Sequence, residues 1–384
     1  MDLNYSDSEE EFRAECRAWL EANVPDPALP SGDTRAGFGL HVEWEKLLFE
    51  NRWAVVSWPE QYGGRDASLW EWIIFEEEYY RAGAPARVTQ NGIFLLAPTI
   101  FEFGSQEQKD VILPRMAAAE DLWCQGWSEP NAGSDLAGIQ SKARRDEASG
   151  GWYLSGQKTW TTRGAFCTHM FGLFRSDPEA ERHRGLTYFL VPLDADGVTV
   201  NGVGRLDGDE GFAEVFCDDV FVSDDAVLGG VDAGWKVAMA TTGSERGLTL
   251  RSPGRFKAAA DRLIGLHGDA GGIADSSTSE SVVKAWMRAQ AYDLYTLQTV
   301  TKMLDGASVG AESSLNKIWW SELDVDLHET ALDLLGATAE TTAHDEHAGW
   351  MKGYEFSLAG PIYAGTNEIQ RNIIAERVLG LPRK

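Results

Sequence analysis

Trp123-Cys124-Gln125-Gly126-Trp127-Ser128-Glu129-Pro130-Asn131-Ala132-Gly133-Ser134-Asp135 is the stretch on which the reading of this chain turns. It sets a hydroxyl at Ser128 ahead of a Gly133-Ser134-Asp135 turn, where a residue without a side chain lets the backbone come close to a bound group. A second stretch, Gly156-Gln157-Lys158-Thr159-Trp160-Thr161-Thr162, offers a flat indole beside further hydroxyl donors. A third, Tyr363-Ala364-Gly365-Thr366-Asn367-Glu368-Ile369-Gln370-Arg371-Asn372, stands near the C-terminus. Taken singly, the first reads as a turn and Trp160 as a core residue. Their order and spacing give them more weight.

Around these segments the texture of the chain changes twice. Residues 1–121 read as helical: Ser8 followed by Glu11 fits a capping box, and Phe12, Cys16, Trp19 and Leu20 recur at helical spacing until Pro25, Pro27 and Pro30. Residues 58–64 read as a turn, and 69–80 and 106–119 as amphipathic helices, the latter with a possible kink at Pro114. Residues 122–231 carry short β-branched and aromatic runs bounded by Gly, Asp or Pro, at 152–154, 185–191 and 197–200, which read as strands. Residues 232–384 return to helical periodicity, with exposed connections at 268–272 and 275–281. A final helix at 367–379 stops at Gly380 and Pro382. The helix, sheet, helix order predicts an α+β fold in three domains, 1–121, 122–231 and 232–384.

With 384 residues, 43% hydrophobic and 11% aromatic, the chain can bury a large core. A net charge of −26 argues against binding to nucleic acid or to an anionic membrane surface. It also requires a locally basic or amide-lined entrance for any anionic substrate. The apolar runs fall short of the roughly 18 residues of a membrane span, and the acidic N-terminus lacks the marks of a signal peptide. Cys16, Cys124, Cys167 and Cys217 are scattered, as in a reduced compartment. A cytoplasmic protein without a membrane span is expected. His344-Asp345-Glu346-His347 lacks the spacing of a zinc protease and reads as a polar loop, so no metal is expected.

In this order and spacing the three quoted segments resemble the flavin-binding framework of the acyl-CoA dehydrogenases. The resemblance runs over nearly the whole chain and includes His183-Arg184-Gly185, Gly234-Trp235 and Glu376-Arg377-Val378-Leu379-Gly380-Leu381-Pro382. It implies an N-terminal helical domain, a middle β-domain and a C-terminal four-helix bundle. It implies FAD, contacted by Trp127, Ser128, Gly133, Ser134, Trp160 and Thr162, with Thr366 and Glu368 serving from the C-terminal domain. The implied reaction is the α,β-dehydrogenation of an acyl-CoA substrate to a trans-2-enoyl-CoA, with electron-transfer flavoprotein as acceptor.

Two departures refine this. Most of the family writes Tyr-Glu-Gly-Thr in the third segment, and that glutamate is the base; here the position is Ala364. Other members, including sterol-side-chain enzymes, place the base on a helix of the C-terminal domain in a Glu-Arg pair. The resemblance therefore moves the role to Glu245, in Gly243-Ser244-Glu245-Arg246-Gly247, with Arg246 to orient it. A carboxylate suits the task because desolvation raises its pKa towards that of the α-proton. A methyl at 364 opens room for a branched or bulky acyl group. Second, the family's Arg-x-x-Phe-Gly, which reaches a neighbour's FAD, is missing from 268–272, and Arg255-Phe256 comes too early to replace it. Gln-x-x-Gly-Gly is altered to Asp333-Leu334-Leu335-Gly336-Ala337. This pattern resembles members that assemble as α2β2 heterotetramers, so a related dehydrogenase subunit is expected, with a homo-oligomer as the other arrangement. Two further readings are an FAD-binding or structural subunit without turnover and a flavin oxidase on the same fold.

Overall fold

The computed structural model describes residues 4–246, 252–269, 276–307, 310–341 and 347–383. Its elements run in chain order α1 (Asp7–Asn23), α2 (Arg35–Glu50), α3 (Leu69–Arg81), a π-helical turn over Asn91–Leu96, α4 (Ala97–Phe103) and α5 (Gln106–Ala117). The strands follow: β1 (Trp123–Gly126), β2 (Lys142–Asp146), β3 (Gly151–Lys158), β4 (His169–Arg175), β5 (Leu186–Pro192), β6 (Val198–Val203), β7 (Phe212–Ser223) and β8 (Val227–Leu228). The last helices are α6 (Gly234–Arg246), α7 (Pro253–Asp269), α8 (Ser276–Leu304), α9 (Ser313–Leu335), α10 (Ala348–Ser357) and α11 (Asn367–Ile373), the last continued by a π turn over Ile374–Val378.

Two expectations need correction, and one helix was not singled out. The first helix is capped by Ser6, not Ser8: Ser6 Oγ accepts from the Glu9 amide at 3.3 Å, and the Glu9 carboxylate accepts from the Ser6 amide at 2.6 Å. This earlier start puts Asp7, Glu9 and Glu10 in the first turn, where the helix dipole favours acids. Helix α2 gave little sequence signal because Gly37 and Gly39 weaken its propensity. Gly37 is required there, since a Cβ would stand 2.0 Å from the Ser31 carbonyl oxygen. The region 275–281 is mostly not a connection, because α8 begins at Ser276; residues 270–275, like His344, Asp345 and Glu346, lie outside the described residues.

The chain divides into two compact units. One comprises Pro25–Ala67 and Pro85–Glu245. Its sheet has eight strands among the described residues, in the order β6-β7-β3-β2-β4-β5-β8, with β1 paired in parallel to β4. Strand β5 is buried along six successive residues, so its run of apolar side chains serves both faces. Strands β4, β3 and β7 contribute Met170, Phe174, Leu154 and Val215 to a single apolar core.

The other unit comprises Met1–Val24, Ser68–Ala84 and Arg246–Lys384. It packs around Phe256, Leu263, Tyr292, Trp320, Leu323 and Leu327. Helix α1 is pinned to α3 by charge: Glu78, 1% exposed, receives Arg13 at 3.2 Å, Arg17 at 2.8 Å and Arg81 at 2.7 Å. Burial alone would raise the Glu78 pKa, but the hydrogen bonds from Arg17, Arg81 and Arg13 outweigh it and bring the value down to about 2. A carboxyl depressed in the folded state stabilises fully above its unfolded pKa and loses that contribution as pH falls through the folded value. Melting temperature is therefore expected to drop between about pH 4.3, the unperturbed glutamate pKa, and about pH 2. Glu78→Gln is expected to flatten that slope in melts followed by circular dichroism across a pH series. An unchanged slope would mean that the cluster contributes nothing.

No helix among the described residues is long and apolar enough to cross a membrane.

Candidate active site

The first quoted segment leaves the sheet at Gly126, where any Cβ would lie 2.1 Å from the Met170 sulfur. Trp127 follows, buried, with its ring meeting those of Phe171 and Tyr188 edge-on, each at 6.4 Å. Its indole N–H is buried without a partner. Ser128 is half-buried, and its carbonyl accepts from the Thr159 amide at 2.9 Å. Glu129 and Ala132 exchange two backbone bonds of 2.9 and 3.0 Å, which forces the chain to turn. Beyond that turn Gly133 and Ser134 are exposed, and no atom stands within 4 Å of where a Gly133 Cβ would be.

The second segment continues from the end of β3. Thr161 and Ala213 exchange backbone bonds of 3.0 and 2.9 Å. Next to that anchor Trp160 takes φ 58° and projects outward, 61% exposed, with its ring perpendicular to Phe212 at 5.8 Å. A bulky residue held in the left-handed region costs on the order of 1–3 kcal/mol, a strain that persists only where the surroundings impose it. Thr162 is half-buried, and its carbonyl accepts from Asn91 Nδ2 at 3.5 Å. Next to it, Arg163 Nε donates to Asp33 at 2.6 Å, and Asp33 also receives Arg205 at 2.6 Å. Burial would raise the Asp33 carboxyl, but the two guanidinium charges outweigh it and hold the pKa below the usual value.

These two segments are locked together by a pair to which sequence reading gave no role. Lys158 is fully buried; its Nζ donates to Glu129 at 2.8 Å and to the Leu173 carbonyl at 2.7 Å. The Glu129 carboxylate also accepts from the amides of Gln140 at 2.6 Å and Ser141 at 3.0 Å. Burial lowers the Lys158 pKa against the pull of Glu129. Burial would raise that of Glu129, but the Lys158 charge outweighs it and the net shift is downward. The one available sequence signal was a lysine at the end of a strand, flanked by the quoted tryptophan.

The third segment belongs to the other unit. Ala364 and Gly365 both have positive φ, 56° and 75°. Gln370 Nε2 donates to their carbonyls at 3.0 and 3.2 Å. Thr366 caps α11, accepting from the Ile369 amide at 3.2 Å. Glu368 lies exposed in the first turn, where its own backbone amide and the Thr366 hydroxyl lower its pKa. The structure thus brings Thr366 and Glu368 together at one helix N-terminus. Glu245 and Arg246 close the backbone of α6, and their side chains lie outside the described residues.

An exposed indole, an open glycine turn, hydroxyls at Ser128 and Thr162 and an unpartnered buried N–H at Trp127 suit a flat ring carrying a diphosphate. Comparison with known proteins agrees. Residues 6–120, 124–220 and 232–379 match the N-terminal, middle and C-terminal domains of acyl-CoA dehydrogenase. The acyl-CoA dehydrogenase IpdE1 of Mycolicibacterium smegmatis is 39% identical over 390 residues, covering 98% of each chain. Among solved structures, the Tcur3481-Tcur3483 steroid ACAD aligns with a TM-score of 0.88 at 26% identity, covering 100% of both chains. The ChsE4-ChsE5 complex from Mycobacterium tuberculosis aligns at 0.84 and 27% identity, also over 100% of both. With all three domains matched in order and a relative this similar along its full length, the chain belongs to the acyl-CoA dehydrogenase family, and it is an oxidoreductase of α+β fold.

Proposed function

We propose that this chain oxidises a bulky acyl-CoA thioester to its trans-2-enoyl-CoA, with FAD as cofactor and Glu245 as base. The observation that carries the reading is the Lys158–Glu129 lock, which fixes the Gly133 turn and the projecting Trp160 in one rigid unit. By the family resemblance, Trp127, Ser128, Gly133, Ser134, Trp160 and Thr162 would hold the cofactor, with Thr366 and Glu368 as further candidate contacts. When bound, FAD supplies the two-electron acceptor for the hydrogen that leaves Cβ. The Glu245 carboxylate takes the α-proton, and Arg246 orients it. The turn at Ala364 offers no carboxylate for that task. A methyl there, together with the similarity to the Tcur3481-Tcur3483 steroid ACAD, supports a sterol-like acyl group. Neighbours solved as two-chain assemblies, and the missing Arg-x-x-Phe-Gly, support a related dehydrogenase chain as partner. Electron-transfer flavoprotein is the acceptor that follows from the family.

The test is an anaerobic titration of the purified protein with acyl-CoAs of graded bulk. Bleaching of the flavin absorbance by bulky thioesters, with little response to short linear ones, is the expected result. A chain that is colourless until mixed with a partner would point instead to a subunit without turnover. Peroxide formed in air without a dye acceptor would point to an oxidase.

A further inference from the structure

A buried chain of hydroxyls ties helix α6 to the rest of its unit. Thr241 Oγ1 lies 2.8 Å from Thr99 Oγ1, 3.1 Å from the Val237 carbonyl and 3.4 Å from the Tyr188 hydroxyl. Thr99 Oγ1 lies 2.9 Å from the Leu95 carbonyl. All three side chains are at most 1% exposed. Each hydroxyl has one proton to give and two lone pairs to accept with. Thr99 and Thr241 therefore cannot both donate to the carbonyl of their own turn and still bond each other. Protons run either from Thr241 to Thr99 to Leu95, or from Thr99 to Thr241 to Val237. In both directions the Thr99–Thr241 bond stands and Tyr188 is a donor to it. Burial pushes the Tyr188 phenol up, which keeps that proton in place.

This chain touches both loops of the candidate site. The Tyr188 ring stacks on Phe171 at 6.0 Å and takes the edge of Trp127. The π-helical turn that leads into α4 carries Asn91, which reaches the Thr162 carbonyl. Such turns break the regular helical ladder and often mark functional positions. A buried hydroxyl pair between helices resists rotation, because any slip leaves polar atoms unpaired. Position 245 follows Thr241 by four residues on α6, one turn on along the same face of the helix.

We infer that Thr241 is a positioning residue: its bond to Thr99, backed by Tyr188, sets the rotation of α6 and thereby the presentation of position 245 to substrate. The inference rests on the reading of Glu245 as the base. Thr241→Val keeps the shape and removes the hydroxyl. It is expected to slow anaerobic flavin reduction about tenfold, within the range that small misplacements cost, with KM and FAD occupancy unchanged. Thr241→Ser is expected to restore the rate. Thr99→Val is expected to slow the rate as well, by no more than Thr241→Val, which also loses the Tyr188 contact, and the double variant to be no slower than Thr241→Val, because the bond between the two hydroxyls is lost only once. Wild-type rate in Thr241→Val, additive effects in the double variant, or a rate loss that follows lost FAD or a lowered melting point would overturn the proposal. Full rate in Thr241→Val alongside a dead Glu245→Gln overturns this inference alone. Slow Thr241→Val alongside a fully active Glu245→Gln overturns the base reading and, with it, this inference.

Discussion

Glu245→Gln is expected to leave the protein yellow and unbleached by substrate. The substitution keeps side-chain length and helix propensity, so α6 and the loops that would carry FAD should be unaffected. The amide has no basic site with which to accept the α-proton. Positioned general bases contribute roughly 10²–10⁴-fold, so anaerobic flavin reduction should slow by that factor. Occupancy read from the visible spectrum before substrate addition separates loss of chemistry from loss of cofactor. Bleaching at the wild-type rate would remove Glu245 from the mechanism and send the search for a carboxylate elsewhere.

Lys158→Met is expected to cost about 3–5 kcal/mol of stability, the range seen when one partner of a buried ion pair is removed. The reason is asymmetric. Glu129 would keep its two amide donors, Gln140 and Ser141, but lose its countercharge inside the protein. The Leu173 carbonyl would also lose its lysine donor. Denaturant unfolding followed by tryptophan fluorescence reads the effect directly. Adding Glu129→Gln to Lys158→Met removes the stranded charge while keeping an acceptor, so part of the loss should return. A Lys158→Met protein as stable as the wild type would mean that the lock does not hold the two loops together.

The readable part of the sequence was what local chemistry dictates. Helix α3 was expected over 69–80 from its apolar spacing and the turn before it, and it spans Leu69–Arg81 with a capping box at Ser68 that the sequence reading had not named. Strands β3, β5 and β6 were visible as short β-branched or aromatic runs ended by Gly, Asp or Pro, whereas β1, β2, β4 and β8 were not read as strands. The pairing of Lys158 with Glu129 was not visible, since the partners are 29 residues apart and only the fold brings them together. The same holds for Asp33 and Arg163, 130 residues apart. The π-helical turn at Asn91–Leu96 escaped because its apolar run is equally compatible with an ordinary helix. Ser8 looked as good a cap as Ser6, because both stand three residues before a glutamate.

The turn at residues 363–366 takes its shape from its backbone: two left-handed residues, a glutamine underneath and a threonine cap. The hydrogen bonds of that arrangement are made by Gln370, Thr366 and backbone groups, and none by the side chain at 364. Under the role proposed for Glu245, the proton acceptor stands on α6, and this scaffold keeps its shape with no acid of its own at 364.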